Sequence, residues 1–137
     1  MIDDNAGNTT VTMAMVIIIL MAMCGIIIDL GVMVEHRARL YSASMAGAHS
    51  SIDSYDVEIL EREGVIELIP EVMVPKISSY LTANLEDAWV DSVELVPERH
   101  DCVRIITKCK VKPVFMQLFG VDEKVMKVDL FLTVYPD

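Results

Sequence analysis

The chain has 137 residues, 53% of them hydrophobic and 23% charged, with a formal net charge of -10. Residues 53–137 hold 17 Asp and Glu against 9 Lys and Arg, which speaks against the basic footprint that nucleic-acid binding requires. Cys24, Cys102 and Cys109 form no C-x-x-C pair, so no zinc or dithiol redox motif is written locally.

A short N-terminal tail, residues 1–10, leads into an apolar run. From Val11 to Ile28 only Thr12 interrupts it, and at 1.5 Å per residue the run spans roughly 27 Å, close to the hydrocarbon thickness of a bilayer. Residues 11–34 therefore read as a transmembrane helix. A buried core helix is the first rival, but the remaining hundred or so residues are too few to enclose an element apolar on every face. A cleaved secretory signal is the second. No Lys or Arg precedes the run, and the small-residue stretch Ala46-Gly47-Ala48 falls well beyond it, after Arg37 and Arg39.

Residues 35–52 continue the helix, amphipathic and free of proline. Ala38, Ser42, Ala46 and Ser50 recur at i+4 and make one smooth stripe. Such a stripe admits another helix closely, either from a neighbouring subunit or from the chain's own domain. A single helix of about 40 residues, roughly 60 Å long, is expected to start in the membrane and end well outside it.

Residues 53–137 read as a small α+β domain. Helical patterns cover 57–69 and 77–89, separated by Pro70 and Pro75, and Glu58, Glu61 and Glu63 form a charged face of the first, most simply a solvated one. A short strand, 90–96, closes at Pro97. In the next, Val103, Ile105, Thr107, Cys109 and Val111 alternate with Arg104, Lys108 and Lys110, giving a half-buried strand with a basic outer row. Met126, Val128, Leu130, Leu132 and Val134 give the last strand its apolar face, opposite Lys127, Asp129 and Thr133. Residues 113–120 between these two strands are too many for a tight hairpin and predict one helical turn ending at Gly120. Cys102 and Cys109 would face opposite sides of one strand, as free thiols. The expected architecture is α+β: a long membrane-spanning helix, short helices and a small three-stranded antiparallel sheet.

Asp29 stands out against this background. Counting from Val11 puts it near the edge of the hydrocarbon, in reach of water or headgroups. Leu30–Val34 are also mostly apolar, so a deeper seat would demand a partner, and Val32 and Met33 at i+3 and i+4 offer none. A neighbouring subunit's amine or Arg37 is the alternative, making Asp29 and Arg37 candidate intersubunit or interfacial contacts. No second acid, His or nucleophile lies near Asp29 on the helix, which argues against catalysis. His36, His49 and His100 lack metal-ligand spacing, no Gly-rich phosphate loop is present, and Met13, Met15, Met21 and Met23 suit adaptable helix packing. No enzyme activity, cofactor, metal or small-molecule substrate is expected.

Gly7-Asn8, the apolar span, Asp29-Leu30-Gly31 and the Arg- and Ala-rich continuation resemble the N-terminal segment of the TadE/TadG-like proteins of tight-adherence (Flp-type) pilus assembly. The Lys-rich strand followed by Pro113, Phe115, Leu118-Phe119-Gly120 and a closing strand resembles the end of the TadE-like pilin module. Residues 53–88 match only in length and helical tendency. The resemblance implies a pilin-like architecture, with the helix in the inner membrane and then entering or capping a filament core, and with the sheet domain displayed outside. Pilin-type precursors are cut after a glycine that lies five residues before a glutamate. Gly7 is the candidate processing site here, and Thr12 stands in the glutamate's place, which leans toward TadG-like members with an uncleaved anchor. Arg37 and Arg39 after the span would by the positive-inside preference keep the domain in the cytoplasm; the resemblance implies the outside, which is the expected orientation. The expected function is that of a structural subunit or assembly component of a cell-envelope filament or related secretion apparatus. Its partners would be the membrane, copies of itself or other pilin-like subunits, and the pilus assembly platform. The alternative is a single-pass, membrane-anchored adhesion or binding module not built into a filament.

Overall fold

The computed structural model describes residues 4–55, 58, 61, 62, 68–97 and 99–134. Its first element, α1, is a single α-helix of 47 residues, Asp4–Ser50, about 70 Å long at the usual rise. It takes in residues 4–10, assigned above to a tail: nothing there breaks a helix, and the Thr12 hydroxyl donates back to the Asn8 carbonyl at 2.8 Å. The helix is long and apolar enough to cross a membrane, and almost none of its apolar window is covered by protein. From Val11 to Leu20 every residue is exposed.

The second half of α1 carries a small domain. Helix α2, Pro70–Asn84, leads into a meander of β1 (Ala88–Val96), β2 (Arg99–Val111) and β3 (Lys124–Thr133), antiparallel and in that order. A 3-10 turn, Met116–Phe119, sits between β2 and β3 and closes at Gly120, whose φ of 83° is the left-handed value that glycine adopts without strain. The architecture is thus the expected α+β arrangement of a long apolar helix, a shorter helix and a three-stranded antiparallel sheet.

The boundaries of α2 differ from those the prolines suggested. Pro70 does not end a helix but begins one, where its missing N–H has no bond to lose. Pro75 lies inside, forfeiting one bond to the Glu71 carbonyl on a face where Glu71, Val72 and Pro75 are exposed and water can replace it. At the other end the helix stops at Asn84, and Ala88 and Trp89 already belong to β1, paired with Cys109 and Lys108. Of the helix expected at 57–69, most residues, including Glu63, lie outside the described ones. Glu58, Glu61 and Arg62 are helical, and Leu68 pairs with Tyr55 in an isolated antiparallel bridge.

The core lies between the two helices and one sheet face. Val103, Ile105, Thr107, Cys109 and Val111 of β2 point into it, as do Val128, Leu130 and Leu132 of β3. Against them pack Leu40 and Ala43 of α1 and Met73, Ile77 and Leu81 of α2. Each large side chain buried there contributes about 1.5–3 kcal/mol. The helices meet where Gly47 faces Ile77; a Cβ at Gly47 would stand 2.9 Å from the Ile77 Cα. One polar pair is embedded in this interior. Ser44 donates to the Leu40 carbonyl at 2.6 Å, which leaves the Thr107 hydroxyl to donate to Ser44 Oγ across 2.7 Å.

Candidate functional site

The chain's two most distinctive stretches, Asp29-Leu30-Gly31 and residues 113–120, meet in space. Asp29 is fully buried. Its Oδ1 accepts the backbone N–H of Val114 at 2.8 Å and its Oδ2 accepts that of Met116 at 2.6 Å. The chain itself thus encloses the acid, an arrangement beyond the two the sequence left open, interfacial water and a neighbouring subunit's cation. Its partner is the loop between β2 and β3, which binds both oxygens and ties the helix to the sheet. One turn earlier, Gly25 makes room for the Phe115 side chain; a Cβ there would lie 2.5 Å from Phe115 Cδ1 and 2.6 Å from Cγ. Pro113 is buried behind them. Gly25, Asp29 and residues 113–116 thus form one clasp between α1 and the domain.

Neither half of the clasp could be paired from the sequence. Backbone N–H groups carry no residue signature, and 85 residues separate Asp29 from Val114. The one available signal was Gly25, a helix-weakening residue placed four before the acid in an otherwise strong run.

The predicted packing stripe divides from the face that binds the domain. Ala43, Ser44, Gly47, Ala48 and Ser51 are buried against the chain's own α2 and sheet. Ala38, Ser42 and Ala46 are exposed, and Ser50 is half-buried. The open ridge runs between two grooves. One, of about 730 Å³, is bounded by Val34, Arg37 and Tyr41 on α1 and by Lys127–Asp129 on β3; the other, of about 560 Å³, lies toward Asn84. Arg37 is exposed on the rim of the first. Gly7 lies within α1, exposed, and a Cβ there would touch nothing.

The basic row of β2 is matched by acids. Arg104 donates to both oxygens of Asp129, through Nε at 3.0 Å and through Nη2, and lies over the Phe131 ring at 5.7 Å. The guanidinium holds the Asp129 carboxyl below its ordinary range and is itself raised by that carboxylate. Lys108 pairs with Asp91 at 2.8 Å, while Lys110 and Lys112 share Glu123 at 3.5 Å each. The outer sheet face is therefore a set of exposed cross-strand pairs and not a cationic surface, and each pair is worth little on its own.

No family, characterised protein or solved structure matches the chain. Among the described residues no three His, Cys, Asp or Glu side chains converge as metal ligands. Cys102 and Cys109 are both buried free thiols, and burial pushes the Cys109 thiol up, away from the reactive thiolate.

Proposed function

We propose that the chain is a single-pass membrane protein that works as a pilin-like structural subunit or assembly component of a cell-envelope filament, of the tight-adherence kind its motifs resemble. The observation that carries this reading is the division of labour along α1. One continuous helix is bare and apolar in its first half. In its second half it buries one face in its own domain while presenting Ala38, Ser42 and Ala46 outward. Small side chains let a second helix approach closely, and the flanking grooves offer places for that helix's ridges. A globular domain anchored for catalysis or ligand capture needs no such ridge.

In this reading the bare half sits in the inner membrane, the domain lies outside, and the partners are copies of the same chain or other pilin-like subunits brought together by an assembly platform. Contacts are made by helix packing and by the sheet surface, without cofactor or substrate.

The test is the paired substitution Ser42→Leu and Ala46→Leu. Both side chains are exposed, so the fold tolerates them, while the ridge they build keeps a second helix away. Cross-linking in membranes and electron microscopy of the cell surface should show extended assemblies for the unmodified chain. The leucine pair should leave only membrane-bound monomer with an unchanged circular dichroism spectrum. A chain that stays monomeric at high density in its membrane would refute the proposal in favour of an isolated anchored binding module. So would assemblies indifferent to the two leucines.

A further inference from the structure

The clasp does more than join α1 to the sheet: it sets the height of an apolar loop along the membrane-spanning run. Past the two amides held by Asp29, the chain turns out three large hydrophobic side chains, Val114 at 66%, Leu118 at 80% and Phe119 at 68% exposed. No described residue of the domain covers them. Phe115 meets α1 at Gly25, which lies about 21 Å along the helix from Val11, inside a hydrocarbon layer of about 30 Å. Helix residues beside and beyond the loop, Ile27, Ile28, Leu30 and Val34, are apolar and exposed as well. The base of the loop therefore lies beside exposed apolar helix surface.

We infer that the loop 113–121 is a second membrane-contacting element, which dips Leu118 and Phe119 into the acyl-chain boundary of the leaflet on the domain's side of the span. This rests on the reading of α1 as membrane-spanning. The occupant is lipid because the exposed loop side chains continue the exposed apolar surface of the span and are fixed to it at two places, Gly25 and Asp29. The stem above the loop is mixed in charge: Lys110 and Lys112 sit against Glu123, with Asp122 and Lys124 adjacent. Insertion is thus driven by apolar area and needs no anionic headgroup. Asp29 acquires a function in this arrangement. It satisfies two loop amides at a depth where water is scarce, and the amides in turn satisfy its carboxylate.

The test uses the full-length chain with Trp89→Phe and one tryptophan restored, at Ile19, Leu118 or Phe131, in phosphatidylcholine vesicles carrying bromines near the headgroup end or near the methyl end of the acyl chain. Ile19 marks the middle of the span; Phe131 is exposed on the outer sheet face, about 24 Å from the loop-proximal end of β3. The expected result is strong deep-bromine quenching of Ile19→Trp, and shallow-bromine quenching of Leu118→Trp several-fold above that of Phe131→Trp. Phe119→Trp should repeat the Leu118 result. Aqueous iodide should rank Leu118 and Phe131 in the opposite order. If Ile19→Trp is quenched while Leu118→Trp matches Phe131→Trp, the loop proposal falls and the span stands. An unquenched Ile19→Trp would sink both. Shielding of Leu118→Trp from iodide that grows with protein density, without bromine quenching, would give the surface to a second copy and also overturn the proposal.

Discussion

Asp29 shows how a single carboxylate can link two parts of a chain that are distant in sequence. Its oxygens take two amide hydrogens of the same loop, and bonds of this kind to a carboxylate exceed the ordinary hydrogen bond. Substitution by Asn keeps one acceptor but turns an amide donor toward the second N–H, so one bond is lost and one donor is left facing another. Asp29→Asn should lower stability in detergent by about 1–3 kcal/mol and speed amide exchange at Val114 and Met116, measured by thermal unfolding and hydrogen exchange. Gly25→Ala should loosen the same loop by crowding the Phe115 ring. Exchange confined to other segments would show that the clasp does not hold the loop. The sequence marks Asp29 as unusual because a charge beside an apolar run is conspicuous. It cannot name the partner, because every non-proline residue offers the same N–H.

At the scale of elements, periodicity makes the sheet legible. β2 and β3 alternate strictly enough that their buried and exposed faces follow from the residue types, and Gly120 marks the end of the intervening turn. What periodicity does not encode is which small residues of α1 face inward. Ala38, Ser42 and Ala46 look like a packing stripe, yet the domain docks on the neighbouring line through Ser44, Gly47 and Ala48, because the close approach to α2 requires the one residue without a Cβ. The prolines of α2 misled for a related reason: proline disfavours a helix interior but suits its first turn, and only the tertiary fold tells which it is. Two glycines of the same helix separate these effects. At Gly47 an added methyl would meet the backbone of Ile77, and Gly47→Ala should destabilise by about 1–3 kcal/mol as the helices are forced apart. At Gly31 a Cβ meets nothing, and Gly31→Ala should stabilise by up to about 1 kcal/mol through helix propensity. Chemical unfolding of both variants in one detergent checks the pair; equal signs would show that α1 and α2 are not packed through Gly47.

For the whole molecule, charge and architecture point to opposite sides of the membrane. Arg37 and Arg39 follow the apolar run, which by the positive-inside preference favours a cytoplasmic domain. Arg39 is engaged by Glu35 one turn earlier at 2.6 Å. The preference counts Lys and Arg and is not a net-charge rule, so this exposed pairing leaves it in force. Filament assembly, by contrast, requires the domain and its open ridge on the outer side. The native thiols cannot report which holds, since Cys102 and Cys109 are buried and Cys24 lies within the apolar run. Ala83 is exposed near the end of α2, remote from the ridge in sequence and free of any role in the core. Ala83→Cys should be labelled in intact spheroplasts by a membrane-impermeant maleimide, to the same extent before and after lysis. Labelling that appears only after lysis would place the domain inside, and with it the ridge, leaving α1 no route into an external filament.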